Sequence, residues 1–279
     1  MEGTLAGDLV QYHLGDDHVA TITLNRADKL NGIDRDMLAE IKRLWQVVRA
    51  DDAVHAVVFR AAGERAFSTG LDRVKGFDYP DNVWIKPDPG ESLDPKAHGC
   101  WKPVVCAVSG MCAGGAFYIV GGADLVIASD DATFFDPHVD FGLVAALEPI
   151  SMVRRMPLGE ILRVSLMGNE ERLSARRAYE IGLVSEVTTR DLLWERAHRA
   201  AAIIAGKPPA AVQGTVRAIW ESLDTGRTVA MARGIHYTQL GNPVAQTQLE
   251  AQTQVGGADA YQQTAALLKS GKRKSYEVR

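Results

Sequence analysis

Residues 103–124 read PVVCAVSGMCAGGAFYIVGGAD, and this stretch decides the fold. The β-branched run at its start predicts a buried strand, and Ser109-Gly110 predicts a tight turn. The small residues after Gly114-Gly115 predict a helix whose first turn carries almost no side-chain bulk. A glycine backbone lets a ligand approach closely, and the N–H groups at a helix start attract an anion or a developing oxyanion.

A second glycine turn lies upstream, where residues 67–72 read FSTGLD after another apolar strand. A glycine turn alone is also explained by close packing of a helix on a sheet. Two such turns, each offering an N–H group at the end of a strand, predict a pocket with paired donors for a carbonyl oxygen.

The chain of 279 residues fits one large domain, or one domain with a small helical appendage. Apolar periodicity predicts a helix over residues 34–50, with strands at 19–24, 54–61, 103–108, 124–128 and 133–135. Strands that alternate with helices favour a parallel sheet. Beyond residue 145 the pattern is helical, with helices predicted at 149–156, 158–167, 174–181, 191–205, 208–223 and 227–240. Ser174 is the expected N-cap of one of them, and Gly182 its stop.

Composition excludes several classes of protein. A net charge of −4 argues against general nucleic-acid binding, which needs a basic surface. No apolar run approaches the length of a membrane span, so we expect a cytoplasmic protein without a membrane partner. The three cysteines lack metal-ligand spacing, and Cys106 is predicted to be inert core.

Residues 77–102 contain several prolines and aspartates, and neither helix nor strand is predicted to run through them. A loop of this length in a compact domain is usually a lid, a binding loop or a disordered segment. Trp84 and Trp101 predict packing against something apolar, either the domain itself or an acyl chain.

Six landmarks occur together along the chain, at residues 22–31, 67–72, 109–117, 123–129, 135–142 and 173–184. In this order and spacing they resemble the crotonase superfamily, which is the enoyl-CoA hydratase/isomerase superfamily. The resemblance covers nearly the whole chain. It implies an α/β fold with a crotonase-type ββα spiral core over residues 1–200. It also implies a C-terminal helical trimerisation region over residues 201–279.

The resemblance further implies an enzyme that transforms acyl-CoA thioesters. Two backbone N–H groups, expected here from Leu71 and Gly115, stabilise the enolate or oxyanion of the thioester. Main chain at Lys29, Leu30, Thr69 and Leu71 is expected to line the coenzyme. No cofactor beyond the CoA moiety and no metal are expected, and the chain is expected to form a homotrimer or hexamer.

The chain departs from the family at the acid and base. Hydratases of the family carry one glutamate after the glycine pair and another after a later proline, and the pair handles a water molecule. Those positions hold Tyr118 and His138 here. Standard two-glutamate hydration is therefore not expected. A tyrosine can donate a hydrogen bond or a proton, and a histidine can act as base or acid. Both residues can equally be pocket lining.

Nearby carboxylates are further candidates. Glu148 is either a catalytic acid or a helix-start glutamate that favours the macrodipole. If residues 136–140 are extended, Asp136, His138 and Asp140 share one face, and one aspartate can orient the imidazole. Asp124 is expected to make a structural contact. The alternatives to an enzyme are a non-catalytic acyl-CoA-binding protein and a subunit of a larger assembly.

Overall fold

Two β-sheets form the centre of the molecule, and the computed structural model describes residues 7–72, 82–85 and 88–256. The larger sheet has the strand order β1-β2-β3-β5-β7-β10. Its strands are Val10–Leu14 (β1), Val19–Leu24 (β2), Ala56–Ala61 (β3), Val104–Val108 (β5), Leu125–Ser129 (β7) and Glu186–Thr188 (β10). All neighbours in this sheet are parallel except β1 and β2.

Three strands of the smaller sheet each follow a strand of the larger sheet in the chain. Its order is β4-β6-β8-β9, with strands Ala66–Ser68 (β4), Met111–Ala113 (β6), Thr133–Phe135 (β8) and Leu173–Ser174 (β9). The pairs β3 and β4, β5 and β6, and β7 and β8 therefore repeat one motif. This arrangement confirms the predicted α/β fold with a mainly parallel sheet.

Eight α-helices complete the described part of the chain. They are Arg35–Ala50 (α1), Ala116–Gly122 (α2), Leu147–Met152 (α3), Leu158–Met167 (α4), Ala175–Glu180 (α5), Arg190–Ala205 (α6), Pro209–Ser222 (α7) and Arg227–Gly256 (α8). None of them combines the length and the apolar character that a bilayer crossing requires.

Helix α1 buries the apolar face that its sequence predicts. Met37, Ile41, Leu44, Trp45 and Val48 are all buried. They recur at helical spacing, so one side of α1 can join the core cluster shared with both sheets. The Asp34 side chain caps the helix by accepting a hydrogen bond from the amide of Met37 at 3.1 Å.

The outer face of the larger sheet is covered by α6. Its buried face consists of Leu193 and three alanines, packed on strand residues such as Val58 and Ile127. Small side chains let the helix approach the sheet closely. The opposite face of the sheet belongs to the main core, where Cys106 is buried and burial raises the pKa of its thiol. This environment fits the inert role predicted for Cys106.

Two sequence predictions about α5 are confirmed. The Ser174 side chain accepts a hydrogen bond from the amide of Arg177 at 3.2 Å, as an N-cap does. Gly182 has a φ of +86°, and its amide bonds to the carbonyl of Tyr179, which ends the helix.

Other predictions about local structure are wrong. The short strand β6, between the turn at Gly110 and the helix predicted after Gly114-Gly115, was not predicted, whereas that helix is confirmed as α2. Helix α3 starts earlier and ends earlier than predicted. Helix α8 does not end at Leu240 but continues through Pro243. In the loop region Trp84 is 91% exposed, so it does not pack against the domain. Residues 73–81, 86–87 and 257–279 lie outside the described part of the chain.

Asp124 has the structural role expected for it. Its carboxylate accepts hydrogen bonds from Lys96 Nζ at 2.8 Å, the Val104 amide at 2.7 Å and Trp220 Nε1 at 2.6 Å. These partners come from the loop region, from β5 and from α7. One carboxylate therefore joins the C-terminal helices to the core.

We expect Asp124→Ala to lower the free energy of unfolding by about 3 kcal/mol, because it leaves the largely buried Lys96 ammonium without its counter-charge. Urea unfolding followed by circular dichroism measures the change. The exposed neighbour Asp130→Ala is the control, expected to stay within about 0.5 kcal/mol of wild type. A similar small cost for both variants would show that Asp124 does not hold α7.

Candidate active site

A cavity of about 330 Å³ opens where the two glycine turns meet the segment between β8 and α3. Its described lining comes from four parts of the chain: Thr69, Leu71, Asp88, Pro89, Gly114, Gly115, Tyr118, Pro137, His138, Phe141, Leu143, Val144, Ala146, Leu147 and Glu148. The predicted residues Leu71, Gly115, Tyr118, His138 and Glu148 therefore lie around one space.

The two glycine turns are in direct contact. A Cβ built on Gly70 would lie 2.6 Å from the amide nitrogen of Gly115 and 2.9 Å from the carbonyl oxygen of Ala113. Gly70 has a φ of +85°, so only glycine fits both the conformation and the space. Neither the Leu71 nor the Gly115 amide is paired with an acceptor in the described chain. Both residues line the cavity.

The turn at residues 26–32 is hydrogen-bonded to the first glycine turn, residues 67–72, and to the strand before it. The Asn31 side chain donates to the carbonyls of Ala62 and Ala66, each at 2.9 Å. The carbonyl of Leu30 accepts from the amide of Thr69 at 3.2 Å. Of the residues expected to line the coenzyme, Thr69 and Leu71 border the cavity. Leu30 lies behind them, and Lys29 is exposed on the same turn.

His138 lies between two carboxyl groups. Its Nδ1 is 2.5 Å from Asp136 Oδ1, and its Nε2 is 3.5 Å from Glu148 Oε1. Asp136 is fully buried, and its Oδ2 has no hydrogen-bond partner among the described residues. A carboxylate acceptor requires a proton on Nδ1, which leaves the Nε2 lone pair of a neutral imidazole directed towards Glu148. The imidazole side chain is 24% exposed.

A short helical segment, not an extended one, produces this arrangement. Residues 138–141 form a 3₁₀ helix that ends at Gly142, whose φ of +66° turns the chain back towards α3. Asp136 reaches His138 because its Oδ1 also accepts the backbone amide of His138 at 3.1 Å. The predicted shared face of an extended strand is wrong. Asp140 points elsewhere, and its carboxylate accepts from the amide and side chain of Asn169.

Tyr118 points to a partner that the sequence did not indicate. Its hydroxyl donates a hydrogen bond to Asp88 Oδ2, and Asp88 Oδ1 accepts from the amide of Gly90 at 3.1 Å. Burial, followed by the bond to Asp88, raises the pKa of Tyr118 far above its usual range. The phenol therefore stays neutral and donates a hydrogen bond to Asp88. Asp88 was missed because no periodicity marks a proline-rich stretch.

Glu148 occupies the first turn of α3 and is 7% exposed. Burial raises the pKa of its carboxyl group, and the nearby negative charges of Asp136 and Asp88 act in the same direction. His138 opposes them. The carboxyl group therefore holds its proton more tightly in the folded protein than in the unfolded chain.

This difference predicts how stability depends on pH. Since the folded state binds the Glu148 proton more tightly, wild-type stability falls as pH rises from the ordinary carboxyl pKa of 4.5 through the raised folded value. Glu148→Gln removes the ionisation. We expect the variant to become progressively more stable than wild type between pH 5 and pH 8, measured by urea unfolding. Glu64→Gln, at an exposed position, is the control. A stability gap that is constant or shrinks with pH would contradict the assignment.

Comparisons with known proteins identify the family of this chain. The family model described as enoyl-CoA hydratase/isomerase matches residues 15–263. An enoyl-CoA hydratase/isomerase from Mycobacterium paratuberculosis has 38% sequence identity and a TM-score of 0.80, covering 90% of this chain and 97% of that one. The chain belongs to the enoyl-CoA hydratase/isomerase family and has the crotonase fold.

Two further relatives show the breadth of the group. An (E)-benzylidenesuccinyl-CoA hydratase from Thauera aromatica is 31% identical over 227 residues, which cover 80% of this chain and 85% of that protein. A mevalonyl-coenzyme A hydratase from Aspergillus fumigatus is 32% identical over 225 residues, which cover 78% of this chain and 81% of that protein. These relatives support an enzyme that acts on acyl-CoA compounds.

Proposed function

We propose that this chain moves a proton at the carbon next to the thioester carbonyl of an acyl-CoA substrate, by way of an enolate. The observation that carries the proposal is the position of His138 at the cavity wall, between Asp136 and Glu148. The imidazole also lies beside the second glycine turn, since a Cβ built on Gly114 would be 3.6 Å from its Cε1 atom.

The enolate oxygen is held by the amides of Leu71 and Gly115. Both line the cavity, and the turns that carry them touch. Backbone donors need no change of protonation, and the start of α2 adds positive potential where negative charge develops. The thioester oxygen therefore becomes better stabilised as the α proton leaves.

In the proposed reaction His138 takes the α proton on Nε2, and the electron pair of the C–H bond enters the enolate. Asp136 holds the resulting imidazolium through Nδ1. Glu148, whose pKa burial raises, is the proposed proton donor: it gives a proton to the γ carbon in an isomerisation or to a departing hydroxyl group in a dehydration. The proton on His138 Nε2 then passes back to Glu148 Oε1, which lies 3.5 Å away.

In this proposal the coenzyme binds along the first glycine turn, residues 67–72. Thr69 and Leu71 border the cavity, and Leu30 supports them through its carbonyl. Lys29 is exposed on the turn that precedes Leu30, and in this proposal it supplies positive charge for the phosphates. We also propose association into a homotrimer or hexamer. Exposed apolar side chains on α7 and α8, such as Ile219 and Leu240, support this proposal.

To test this proposal, the purified protein is incubated with a panel of acyl-CoA thioesters in deuterated water, and the masses of the thioesters are measured by mass spectrometry. Deuterium uptake without other change supports α-proton transfer by an isomerase, and gain or loss of water supports a hydratase. Release of free CoA would replace the proposal with thioester hydrolysis by an Asp136–His138 pair. Binding without any change in a broad panel would favour a non-catalytic acyl-CoA-binding protein.

A further inference from the structure

Asp88 places a fixed negative charge in the cavity wall. Its two carboxylate oxygens are both held, one by the Tyr118 hydroxyl and the other by the amide of Gly90. Asp88 also precedes the 3₁₀ helix Pro89–Leu93 as its N-cap, so its backbone is fixed as well.

Close packing keeps this carboxylate in place. A Cβ built on Gly90 would lie 2.1 Å from Cε2 of the Tyr118 ring, so the loop backbone lies directly against that ring. Tyr118 itself is only 5% exposed. Asp88 cannot turn out to solvent without breaking both of its hydrogen bonds, so its carboxylate stays in the cavity lining.

None of the other residues that the structure describes around the cavity carries a fixed positive charge to offset Asp88. Glu148 is a second lining carboxyl group, Asp136 lies behind the imidazole, and Glu91 is close enough to raise the pKa of Tyr118. None of the described lining residues is a lysine or an arginine. The imidazole of His138 lies between Asp136 and Glu148.

We propose that Asp88 makes the cavity select acyl groups by charge, admitting neutral acyl groups and excluding those that carry a second carboxylate. The inference rests on the proposed function, because it assumes that the cavity holds the acyl part of an acyl-CoA. An incoming carboxylate loses its water, meets Asp88, and finds no lysine or arginine in the described wall. A neutral acyl group meets mainly apolar side chains such as Leu143 and Leu147.

Two thioesters of matched shape test this selection. Glutaryl-CoA ends in a carboxylate, and 5-methylhexanoyl-CoA has an isopropyl group in the same place. Isothermal titration calorimetry gives the ratio of their dissociation constants without requiring turnover. For wild type we expect glutaryl-CoA to bind about 100-fold more weakly. We expect Asp88→Asn to reduce that ratio by about tenfold or more, since it removes the charge but keeps the shape.

Controls separate charge from folding. Glu91→Gln removes an exposed carboxylate from the same segment without touching the lining, and its ratio is expected to stay within about threefold of wild type because solvent screens it. Asp88→Ser retains an N-cap side chain and serves if Asp88→Asn does not fold.

The outcomes distinguish this inference from the proposed function. An unchanged ratio in folded Asp88→Asn, or equal binding of both thioesters by wild type, overturns the role of Asp88 even if deuterium exchange occurs. A changed ratio without any turnover supports charge selection while the proposed reaction fails. If neither thioester binds, both proposals are wrong.

Discussion

His138→Ala is expected to slow α-proton exchange on an acyl-CoA substrate by about 10³-fold. The substitution removes the group that lies 2.5 Å from Asp136 and 3.5 Å from Glu148. Glu148 is not expected to replace it, because burial raises the pKa of its carboxyl group and so favours the protonated form, which cannot accept the α proton. The measurement is the initial rate of deuterium uptake by mass spectrometry, with thioester affinity determined in parallel.

The affinity measurement shows whether the effect is chemical. We expect acyl-CoA affinity to change by no more than about threefold, because the amides of Leu71 and Gly115 remain in place. Added imidazole should restore part of the exchange in His138→Ala by filling the vacated space. The exposed His13→Gln is the matched control and should exchange at the wild-type rate. Full exchange in His138→Ala would remove His138 from the mechanism.

The second large effect concerns stability. We expect Gly70→Ala to lower the free energy of unfolding by about 4 kcal/mol and to abolish acyl-CoA binding. The new methyl group would collide with the backbone of Gly115 and Ala113, in a residue whose φ is +85°. Backbone atoms cannot rotate away as a side chain can. The two turns must therefore separate, and the paired amides separate with them.

A second glycine isolates the part of this effect that is due to contact. Gly182 has a φ of +86°, nearly that of Gly70, but a Cβ built on it meets nothing within 4 Å. Gly182→Ala is expected to cost only about 1 kcal/mol, which is the strain of the left-handed conformation. Urea unfolding of both variants gives the difference. Equal costs would mean that the contact between the two turns contributes no stability.

The sequence predicted the parts of the site that depend on local backbone chemistry. Glycines at positions 70, 114 and 115 marked the two turns, of which Gly70 has both a positive φ and no room for a Cβ, and those turns do meet. The apolar face of α1 followed from periodicity in the same way. Such signals are local, so a single sequence contains them in full.

The contacts between distant side chains could not be predicted. Asp88 reaches Tyr118 across 30 positions of sequence, from a proline-rich stretch without periodicity. Glu148 approaches His138 only because Gly142 reverses the chain after a 3₁₀ turn. An extended segment would have paired His138 with Asp140 as readily as with Asp136. Small changes of the backbone torsion angles decide these contacts, and the pattern of hydrophobic residues in the sequence does not indicate those angles.

The two touching glycine turns have a consequence for how new reactions arise on this scaffold. Donors that belong to the main chain survive any side-chain substitution that the backbone tolerates. The residues proposed to move protons or to select the acyl group are side chains on separate segments, at positions 88, 138 and 148. Selection or design can therefore exchange the proposed chemistry one residue at a time while the proposed recognition of the thioester by the main chain is retained. A library restricted to these positions explores new activities without rebuilding the binding step.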